Sequence, residues 1–179
     1  GFIGSPLCER LVANDHRLTV LTRQTLASSN RCRYVSDLDV LAVSEPFDAI
    51  INLAGASLAQ HRWTPAYKRE IFASRLETTQ ALIDLIQRLD KPPAILLSAS
   101  AVGYYGHHGD EALDESGEPE PGFSHDLCRE WEKLALTASE RDVRVCLMRL
   151  GVVLDRDGGA FTQMARPFHF GIANYLGNG

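Results

Sequence analysis

Asp48-Ala-Ile-Ile-Asn-Leu-Ala-Gly55 is a nearly unbroken apolar run that ends in a glycine. Such a run is typical of a strand inside a parallel sheet, because helices cover both faces of that sheet. Ala94-Ile-Leu-Leu-Ser98 has the same character. Between the two runs, residues 64–89 carry apolar side chains at helical spacing on one side. A strand, a helix and a second strand in this order predict a parallel crossover unit.

The same alternation continues on both sides of this unit. The pattern predicts a helix from Ser5, a strand over 18–22, a weakly marked helix and strand within 24–46, a helix over about 124–140 and a strand over 143–149. Repeated alternation of this kind predicts the α/β class with a doubly wound parallel sheet. Because the order opens on a glycine-rich turn and a helix, we expect the first strand of that sheet to precede Gly1.

Composition and charge exclude two classes of partner. The chain has 179 residues, of which 45% are hydrophobic and 23% charged, as is usual for a globular domain. The net charge is −5 and the basic residues are scattered, so we expect no nucleic-acid partner. No apolar run approaches the roughly 20 residues that span a bilayer, so we expect no membrane partner either.

The four cysteines show no pattern of a metal site. Cys8, Cys32, Cys128 and Cys146 form no Cys-x-x-Cys pair and no zinc-type spacing with histidine, so we predict no bound metal. Free thiols fit a reducing compartment. The chain also opens without a cationic leader and apolar core, and together these observations predict a cytoplasmic location.

A series of short motifs carries a resemblance to a known family. The motifs are GFIG at 1–4, LTR at 21–23, INLAGASL at 51–58, RWT at 62–64, SRLETT at 74–79, SASAVGYYG at 98–106, WE at 131–132, RLGVVL at 149–154, GG at 158–159, PF at 167–168 and GNG at 177–179. In this order they resemble the extended short-chain dehydrogenase/reductases. More narrowly, they resemble the atypical "epimerase family protein" branch, also labelled nucleoside-diphosphate-sugar epimerase or cell-division-inhibitor family.

The resemblance implies a division of the chain and a cofactor. Residues 1–154 would form an NADP-binding Rossmann-like domain that lacks its first strand. Residues 155–179 would begin an incomplete substrate-binding region, in which Pro167-Phe168 and the glycines from 171 on resemble a lid.

The resemblance also implies which residues contact the cofactor. They are Gly1, Phe2, Ile3 and Gly4 of the glycine turn, Thr22 and Arg23, Leu53, Ala54 and Gly55, Glu70 and Arg75, Ser98, and Leu150, Gly151 and Val153. A turn of this type lets backbone approach a pyrophosphate ahead of a helix N-terminus. Taken alone, a Gly-x-x-Gly segment also fits an ordinary turn at the start of a helix. Arg75 could pair with Glu70 or with a phosphate, and a solvated salt bridge is a sufficient account of Glu70.

Arg23 decides the choice between the two nicotinamide cofactors. It ends the strand at 18–22, where an acidic residue would accept a hydrogen bond from the ribose 2′-OH of NAD. An arginine there can instead donate charge-assisted hydrogen bonds to the 2′-phosphate of NADP. We therefore predict NADP as the cofactor.

The catalytic pattern of the family is only partly present. Ser100 matches the serine that orients the substrate carbonyl, but the family's Tyr-x-x-x-Lys pair is missing. Ser124 and Cys128 stand at those places. Tyr104 and Tyr105 lie on the loop after Ser100, and one of them could act as the acid beside a cation such as Arg75 or Arg62. Both could instead pack the loop over the nicotinamide. In an extended loop we expect the two rings to point in opposite directions.

Two functions follow from these motifs. The first is an NADP-dependent oxidoreductase or epimerase-like enzyme acting on a small polar metabolite, which could be nucleotide-linked. The second is a non-catalytic NADP-binding protein that senses redox state or binds a partner, as the missing pair suggests. A hydrolase is disfavoured, because no Gly-x-Ser-x-Gly segment is present. A homodimer is left open.

Overall fold

The computed structural model describes residues 1–58, 60–155 and 158–171, without the side chains of Gln163, His169 and Phe170. The predicted motif at 177–179 therefore lies outside the described residues. The helices are α1 (Gly4–Ala13), α2 (Pro65–Arg88), α3 (Phe123–Leu136) and α4 (Gly159–Ala165). The strands are β1 (Leu18–Leu21), β2 (Cys32–Val35), β3 (Ala49–Asn52), β4 (Ile95–Ala101), β5 (Arg144–Leu150) and β6 (Leu154–Asp155). Short 3-10 turns cover Val102–Tyr104, Thr137–Arg141 and Arg166–Phe170.

The long strands form two parallel sheets. β1 pairs with β2, and β4 lies between β3 and β5. The register places Asn52 opposite Ser98, and Ser100 opposite Arg149. No ladder joins the two sheets within the described ranges. The predicted α/β class with parallel strands is confirmed.

One apolar core joins both sheets to α2. Leu82, Ile83 and Ile86 of α2 pack against Ile50 of β3 and Leu96 of β4. The same cluster includes side chains that follow or belong to β2, namely Val35, Leu38 and Leu41. Arg88, at the end of α2, also donates hydrogen bonds to the carbonyl oxygens of Leu38 and Leu41. The β1–β2 sheet is therefore anchored through α2.

The segment between β1 and β3 differs from the prediction. The weakly marked strand forms as β2, but residues 24–31 and 36–48 contain no helix. The hydroxyl of Ser28 accepts a hydrogen bond from the backbone N–H of Tyr34, and that of Ser29 accepts one from Cys32. Serine hydroxyls that bind nearby backbone in this way favour turns over helix. The predicted helix in this segment is therefore wrong.

Side chains from three of the sequence motifs meet at one buried hydroxyl. Thr79 of α2 is fully buried and accepts hydrogen bonds from Asn52 Nδ2 of β3 and Trp131 Nε1 of α3, each at 2.9 Å. Asn52 Oδ1 accepts a further hydrogen bond from the backbone N–H of Ala54. These contacts fix α2 and α3 against β3, and they set the path of the chain just after that strand.

Candidate functional site

The carboxyl ends of three parallel strands define the candidate site. Parallel strands β3, β4 and β5 end at the same edge, so residues 53–58, 102–106 and 151–155 emerge there together. In open α/β sheets, ligands bind in the crevice outside this edge. Seven of the 18 site residues predicted from sequence lie in these three segments, namely Leu53, Ala54, Gly55, Tyr104, Tyr105, Gly151 and Val153.

The glycine turn reaches the same edge. Gly4 begins α1, and no side chain caps that helix. No described atom outside the local chain lies within 4 Å of the point where a side-chain carbon of Gly1 or Gly4 would sit. The first turn of α1 also carries no acidic residue. An uncapped helix N-terminus beside open glycines has the features that favour a bound anion.

Phe2 connects this turn to the chain after β5. Its ring lies 3.1 Å from where a side-chain carbon of Gly158 would sit, and 2.6 Å from the corresponding point at Gly159. Gly159 also has a φ of +68°, which favours glycine. The Gly158–Gly159 pair therefore leaves room for the Phe2 ring. Sequence reasoning noted this pair but gave it no role.

Arg23 and Thr22 follow β1 directly. The backbone N–H of Thr22 donates to Val35 O, which extends the pairing with β2 by one residue. Thr22 Oγ1 accepts a hydrogen bond from the N–H of Gln24. The Arg23 side chain is exposed and forms no hydrogen bond or ion pair with any residue that the structure describes. Its guanidinium is thus available to a ligand.

After β3, the chain passes directly over Arg75. Leu53 and Ala54 are half-buried, whereas Gly55 is exposed. Arg75 Cζ lies 2.9 Å from where a side-chain carbon of Gly55 would sit. Arg75 donates to Ile71 O at 3.0 Å and to Ala56 O at 3.2 Å.

Glu70 lies elsewhere on the surface of α2. It is exposed, and the described residues include no ion pair between it and Arg75. Glu70, one of the two predicted partners of Arg75, therefore does not pair with it in the structure.

The two serines of β4 are both buried. Ser98 is fully buried, and Ser100 is 3% exposed. Ser100 Oγ donates a hydrogen bond of 2.5 Å to Glu132 Oε1 on α3. This bond directs the Ser100 hydroxyl toward α3. Glu132 is a site residue that sequence reasoning did not select, although the Trp-Glu motif contains it.

Glu132 is held by a cation on β5. Arg149 donates through Nε to Glu132 Oε1 and through Nη2 to Oε2, both at 2.9 Å. The side chain of Glu132 is 7% exposed and that of Arg149 20% exposed. The hydrogen bonds to Glu132 raise the pKa of Arg149 above its usual value. The Arg149 guanidinium therefore stays charged, and its bidentate pair with Glu132 lies directly beneath the loop that follows β4.

Both tyrosines of that loop contact Arg149. Arg149 Nη1 donates to Tyr105 Oη at 2.8 Å, and Arg149 Cζ lies 3.5 Å from the centre of the Tyr104 ring. The two tyrosine rings stand edge to face, with centres 5.4 Å apart. The expectation that they point in opposite directions is therefore wrong. The reason is local, since Val102–Tyr104 forms a 3-10 turn and not an extended loop.

The backbone of Tyr105 is fixed as well. Its carbonyl oxygen accepts a hydrogen bond from the N–H of Glu120 at 2.7 Å and lies 2.9 Å from His108 Nε2. The cation beside the tyrosine is Arg149, and neither Arg75 nor Arg62 takes that place. Sequence reasoning could not find Arg149, because it lies 44 residues from Tyr105 along the chain.

The positions of the missing tyrosine and lysine lie on α3. Cys128 is buried beside Ser100 and Ala101 O, and burial raises the pKa of its thiol. Ser124 is half-buried against Gly103. Cys128 and Glu132 lie one helical turn apart, so this face of α3 presents a thiol and a carboxylate and no lysine.

The segment after β5 completes the edge. Leu150 is half-buried, and Gly151 and Val153 are exposed.

Within the described ranges, no group of histidine, cysteine or acidic side chains could hold a metal ion. No described helix is long and apolar enough to cross a bilayer.

A glycine turn, a helix N-terminus and parallel strand ends at one edge define a dinucleotide-binding α/β protein. The model of the NAD dependent epimerase/dehydratase family matches residues 1–168. The chain belongs to this family, and the resemblance read from its motifs is confirmed.

Similar proteins span bacteria, plants and animals. The chloroplastic homolog of epimerase family protein SDR39U1 from Arabidopsis thaliana is 37% identical over 190 residues, covering all of this chain and 54% of that protein. An epimerase family protein of Staphylococcus saprophyticus is 38% identical over 183 residues, covering 61% of its length. The chain thus spans between about half and three fifths of these relatives.

A solved structure gives the same fold. The crystal structure of human epimerase family protein SDR39U1, determined with NADPH, matches with a TM-score of 0.84 and 33% identity. The match covers all of this chain and 60% of the human one. The Rossmann-like fold predicted from sequence is confirmed.

Proposed function

We propose that the chain is the cofactor-binding part of an NADP(H)-dependent oxidoreductase or epimerase-like enzyme. Its substrate would be a small polar metabolite, and nucleotide-linked sugars are the first class to test. The observation that carries the proposal is the hydrogen bond of 2.8 Å from Arg149 to Tyr105 Oη at the carboxyl edge of the sheet. It supplies a positioned phenol and a cation where the family's Tyr-x-x-x-Lys pair is missing.

Three features of the edge fit NADP(H). The open glycines and the uncapped N-terminus of α1 would receive the pyrophosphate. Arg23, which has no partner among the described residues, would donate to the 2′-phosphate. Gly55 and the backbone of residues 150–153 would line the remainder of the cofactor site. The human relative determined with NADPH supports this assignment. When bound, the cofactor supplies a hydride donor or acceptor.

Tyr105 would hold the transferable proton. Its oxygen accepts from Arg149, so its own O–H points away from that guanidinium and can donate to a ligand. A donor at the phenol oxygen also stabilises the charge left when the proton moves to the substrate. The Ser100 hydroxyl donates to Glu132, and Glu132 fixes Arg149. In this proposal Ser100 is a positioning residue, and its predicted contact with substrate stays a prediction.

The function is tested with the full-length protein. NADPH and NADP⁺ are each mixed with carbonyl compounds, alcohols and nucleotide-linked sugars, while the absorbance of the reduced nicotinamide is followed. Turnover that depends on Tyr105 would support the proposal. Tight NADPH binding with no turnover on any class would contradict it.

A second candidate function has one observation in its favour. Cys128 and Ser124 replace the lysine and tyrosine, so the face of α3 has no lysine with which to assist proton transfer. A non-catalytic NADP-binding protein that senses redox state would need only the binding features. The four cysteines are unpaired, which agrees with a reducing, cytoplasmic setting for either function.

Replacing Arg23 with Ala should change cofactor preference. A charge-assisted hydrogen bond contributes about 1.5–3 kcal/mol, so we expect NADPH affinity to fall roughly tenfold to a hundredfold, while NADH affinity stays unchanged. Calorimetric titration of both cofactors measures this. Arg144→Ala is the matched control, because Arg144 is an exposed arginine at the amino end of β5, on the opposite edge. An equal loss for NADPH and NADH would contradict the assignment of Arg23.

Replacing Gly159 with Ala should disturb the glycine turn. A β-carbon there would lie 2.6–3.1 Å from the Phe2 ring, so the ring must move and NADPH binding should weaken. The left-handed backbone adds a cost of about 1–2 kcal/mol to folding. Gly171→Ala isolates that cost, because Gly171 has a φ of +71° and no described atom lies within 4 Å of the point where its side-chain carbon would sit. If both variants bind NADPH equally well, the Phe2 contact has no influence on the turn.

A further inference from the structure

Trp63, in the Arg-Trp-Thr motif at 62–64, is a fixed aromatic side chain at the protein surface. It lies on the segment that leaves β3 at the carboxyl edge and enters α2. Its Nε1 donates to Leu58 O at 2.9 Å, and its ring stands edge to face against Phe123, with centres 5.5 Å apart. Trp63 is nevertheless 43% exposed. Together, Trp63 and Phe123 form an aromatic wall.

The Trp63 ring keeps a face without an aromatic partner. An edge-to-face contact covers either the rim or one face of an indole, so Phe123 leaves at least one face uncovered. In the part of the chain that the structure describes, Trp63 forms no second ring contact and no second side-chain hydrogen bond. An indole face of this kind can stack on any planar conjugated ring.

Phe123 gives the aromatic wall a rigid base. It is half-buried and packs against a buried cluster that includes Tyr67 and Ile71. The hydroxyl of Tyr67 donates to Ser57 O, and its backbone N–H donates to Thr64 Oγ1 at 3.2 Å. The loop between β3 and α2 is therefore fastened to α2 at two points.

Positive charge lies beside the aromatic wall. Lys68 Nζ is 4.7 Å from the centre of the Phe123 ring. The side chains of Lys68 and Arg62 form no ion pair or hydrogen bond with any residue that the structure describes. Residues 57–69 include no acidic residue, although the whole chain has a net charge of −5. The charge at the wall therefore complements an anionic ligand.

The aromatic wall adjoins the loop that carries the two tyrosines. Ser124 follows Phe123 at the start of α3, and its Cβ lies 3.1 Å from where a side-chain carbon of Gly103 would sit. His125 Nδ1 lies 2.8 Å from Tyr104 O. A ligand bound against the wall would therefore lie beside the loop that holds the candidate proton donor.

We propose that the aromatic wall binds a planar ring of the substrate, and that Lys68 and Arg62 receive a negatively charged group of the same molecule. The inference deepens the proposed function, because it names the substrate class of the same edge and rests on that function for the reaction. Nucleoside diphosphates and aromatic acids share this chemistry, so both are tested. A substrate with neither ring nor negative charge would leave the exposed indole and the two cations without a ligand.

The test measures calorimetric affinities for the full-length protein saturated with NADP⁺, so that the cofactor site is already occupied. The probes are UDP and benzoate, which carry a planar ring and an anion, and ribose 5-phosphate, which carries an anion alone. Trp63→Ala should weaken the binding of the ring-bearing probes roughly tenfold to a hundredfold, the order of base–aromatic stacking. Binding of ribose 5-phosphate and of NADP⁺ should change little.

Lys68→Met tests the role of the charge. It should weaken the binding of UDP and benzoate by about fivefold or less, because water screens a half-buried ammonium group. Lys133→Met is the matched control, since Lys133 is an exposed lysine in the last turn of α3, at the end opposite to Phe123. This control should leave the affinities of all three probes unchanged.

The fluorescence of Trp63 gives a second readout that does not depend on the folding of Trp63→Ala. A ring that stacks on an indole quenches its emission, so UDP should quench the wild-type protein saturated with NADP⁺. Trp63→Phe keeps an aromatic ring in the wall and removes this indole. The quenching should therefore disappear in Trp63→Phe, while most of the UDP affinity is kept.

The outcomes separate this inference from the proposed function. Weaker binding of both ring-bearing probes in Trp63→Ala supports the aromatic wall, and weaker binding of one alone also shows which ligand class it takes. Failure of the wild-type protein to bind either probe overturns the inference. Affinities unchanged by Trp63→Ala, with or without a lower melting temperature, overturn it even if the protein is an active enzyme. Trp63-dependent binding without turnover on any class overturns the enzyme proposal and leaves the aromatic wall in place.

Discussion

Replacing Arg149 with Met is expected to lower the free energy of unfolding by about 3–5 kcal/mol, because it leaves a buried carboxylate without its partner. Glu132 has a side chain that is 7% exposed and receives two hydrogen bonds from Arg149. The same substitution removes the donor to Tyr105 and the cation over Tyr104. Denaturation by urea, followed by circular dichroism, measures the change.

The double variant tests the physical reason. In Arg149→Met combined with Glu132→Gln, no buried charge is left unpaired, so part of the lost stability should return. A double-mutant cycle should therefore be strongly non-additive. If the two losses in the free energy of unfolding are additive, the ion pair is not the source of the destabilisation. Arg129→Met is the control, because Arg129 pairs with Asp126 and Glu130 on the exposed surface of α3 and should cost less than about 1 kcal/mol.

Replacing Tyr105 with Phe is expected to reduce kcat by a factor of about 10²–10⁴, the usual contribution of a positioned acid or base. The phenylalanine keeps the ring in place beside Arg149 and removes only the hydroxyl that Arg149 holds. NADPH affinity and melting temperature should change little. Steady-state kinetics on the best substrate of the panel measures the effect.

Tyr104→Phe is the matched control for this variant. Tyr104 contacts Arg149 through the face of its ring, and a phenylalanine keeps that ring. We therefore expect the Tyr104→Phe variant to keep most of its kcat. A large loss of kcat in Tyr104→Phe, with little change in Tyr105→Phe, would assign the transferable proton to Tyr104. Equal and small losses of kcat in both variants would show that neither tyrosine transfers the proton, and would favour the non-catalytic function.

Elements with a strong local signal could be predicted from sequence. The apolar runs before Gly55 and Ser98 became β3 and β4, and the long helical pattern became α2. These patterns depend on neighbours in sequence, and burial on both faces leaves little ambiguity. The segment 24–46 had no such signal, and there serine hydroxyls bonded to backbone decided against a helix.

The polar network could not be predicted in the same way. Ser100 was selected from its motif, but its partner Glu132 lies 32 residues away, and Arg149 lies a further 17 residues on. Such pairs arise only when α3 packs across β4 and β5. The two tyrosines were identified, yet their shared contact with Arg149 depends on a 3-10 turn that the sequence does not reveal.

The most direct test of the enzyme proposal is a rapid-mixing experiment with the full-length wild-type protein. Enzyme bound to NADP⁺ or NADPH is mixed with each class of the substrate panel, and the absorbance of reduced nicotinamide is recorded within the first turnover. The proposal predicts a rapid change in absorbance with one class, lost in Tyr105→Phe and kept in Tyr104→Phe. Saturating cofactor binding with no change in absorbance for any class would contradict it.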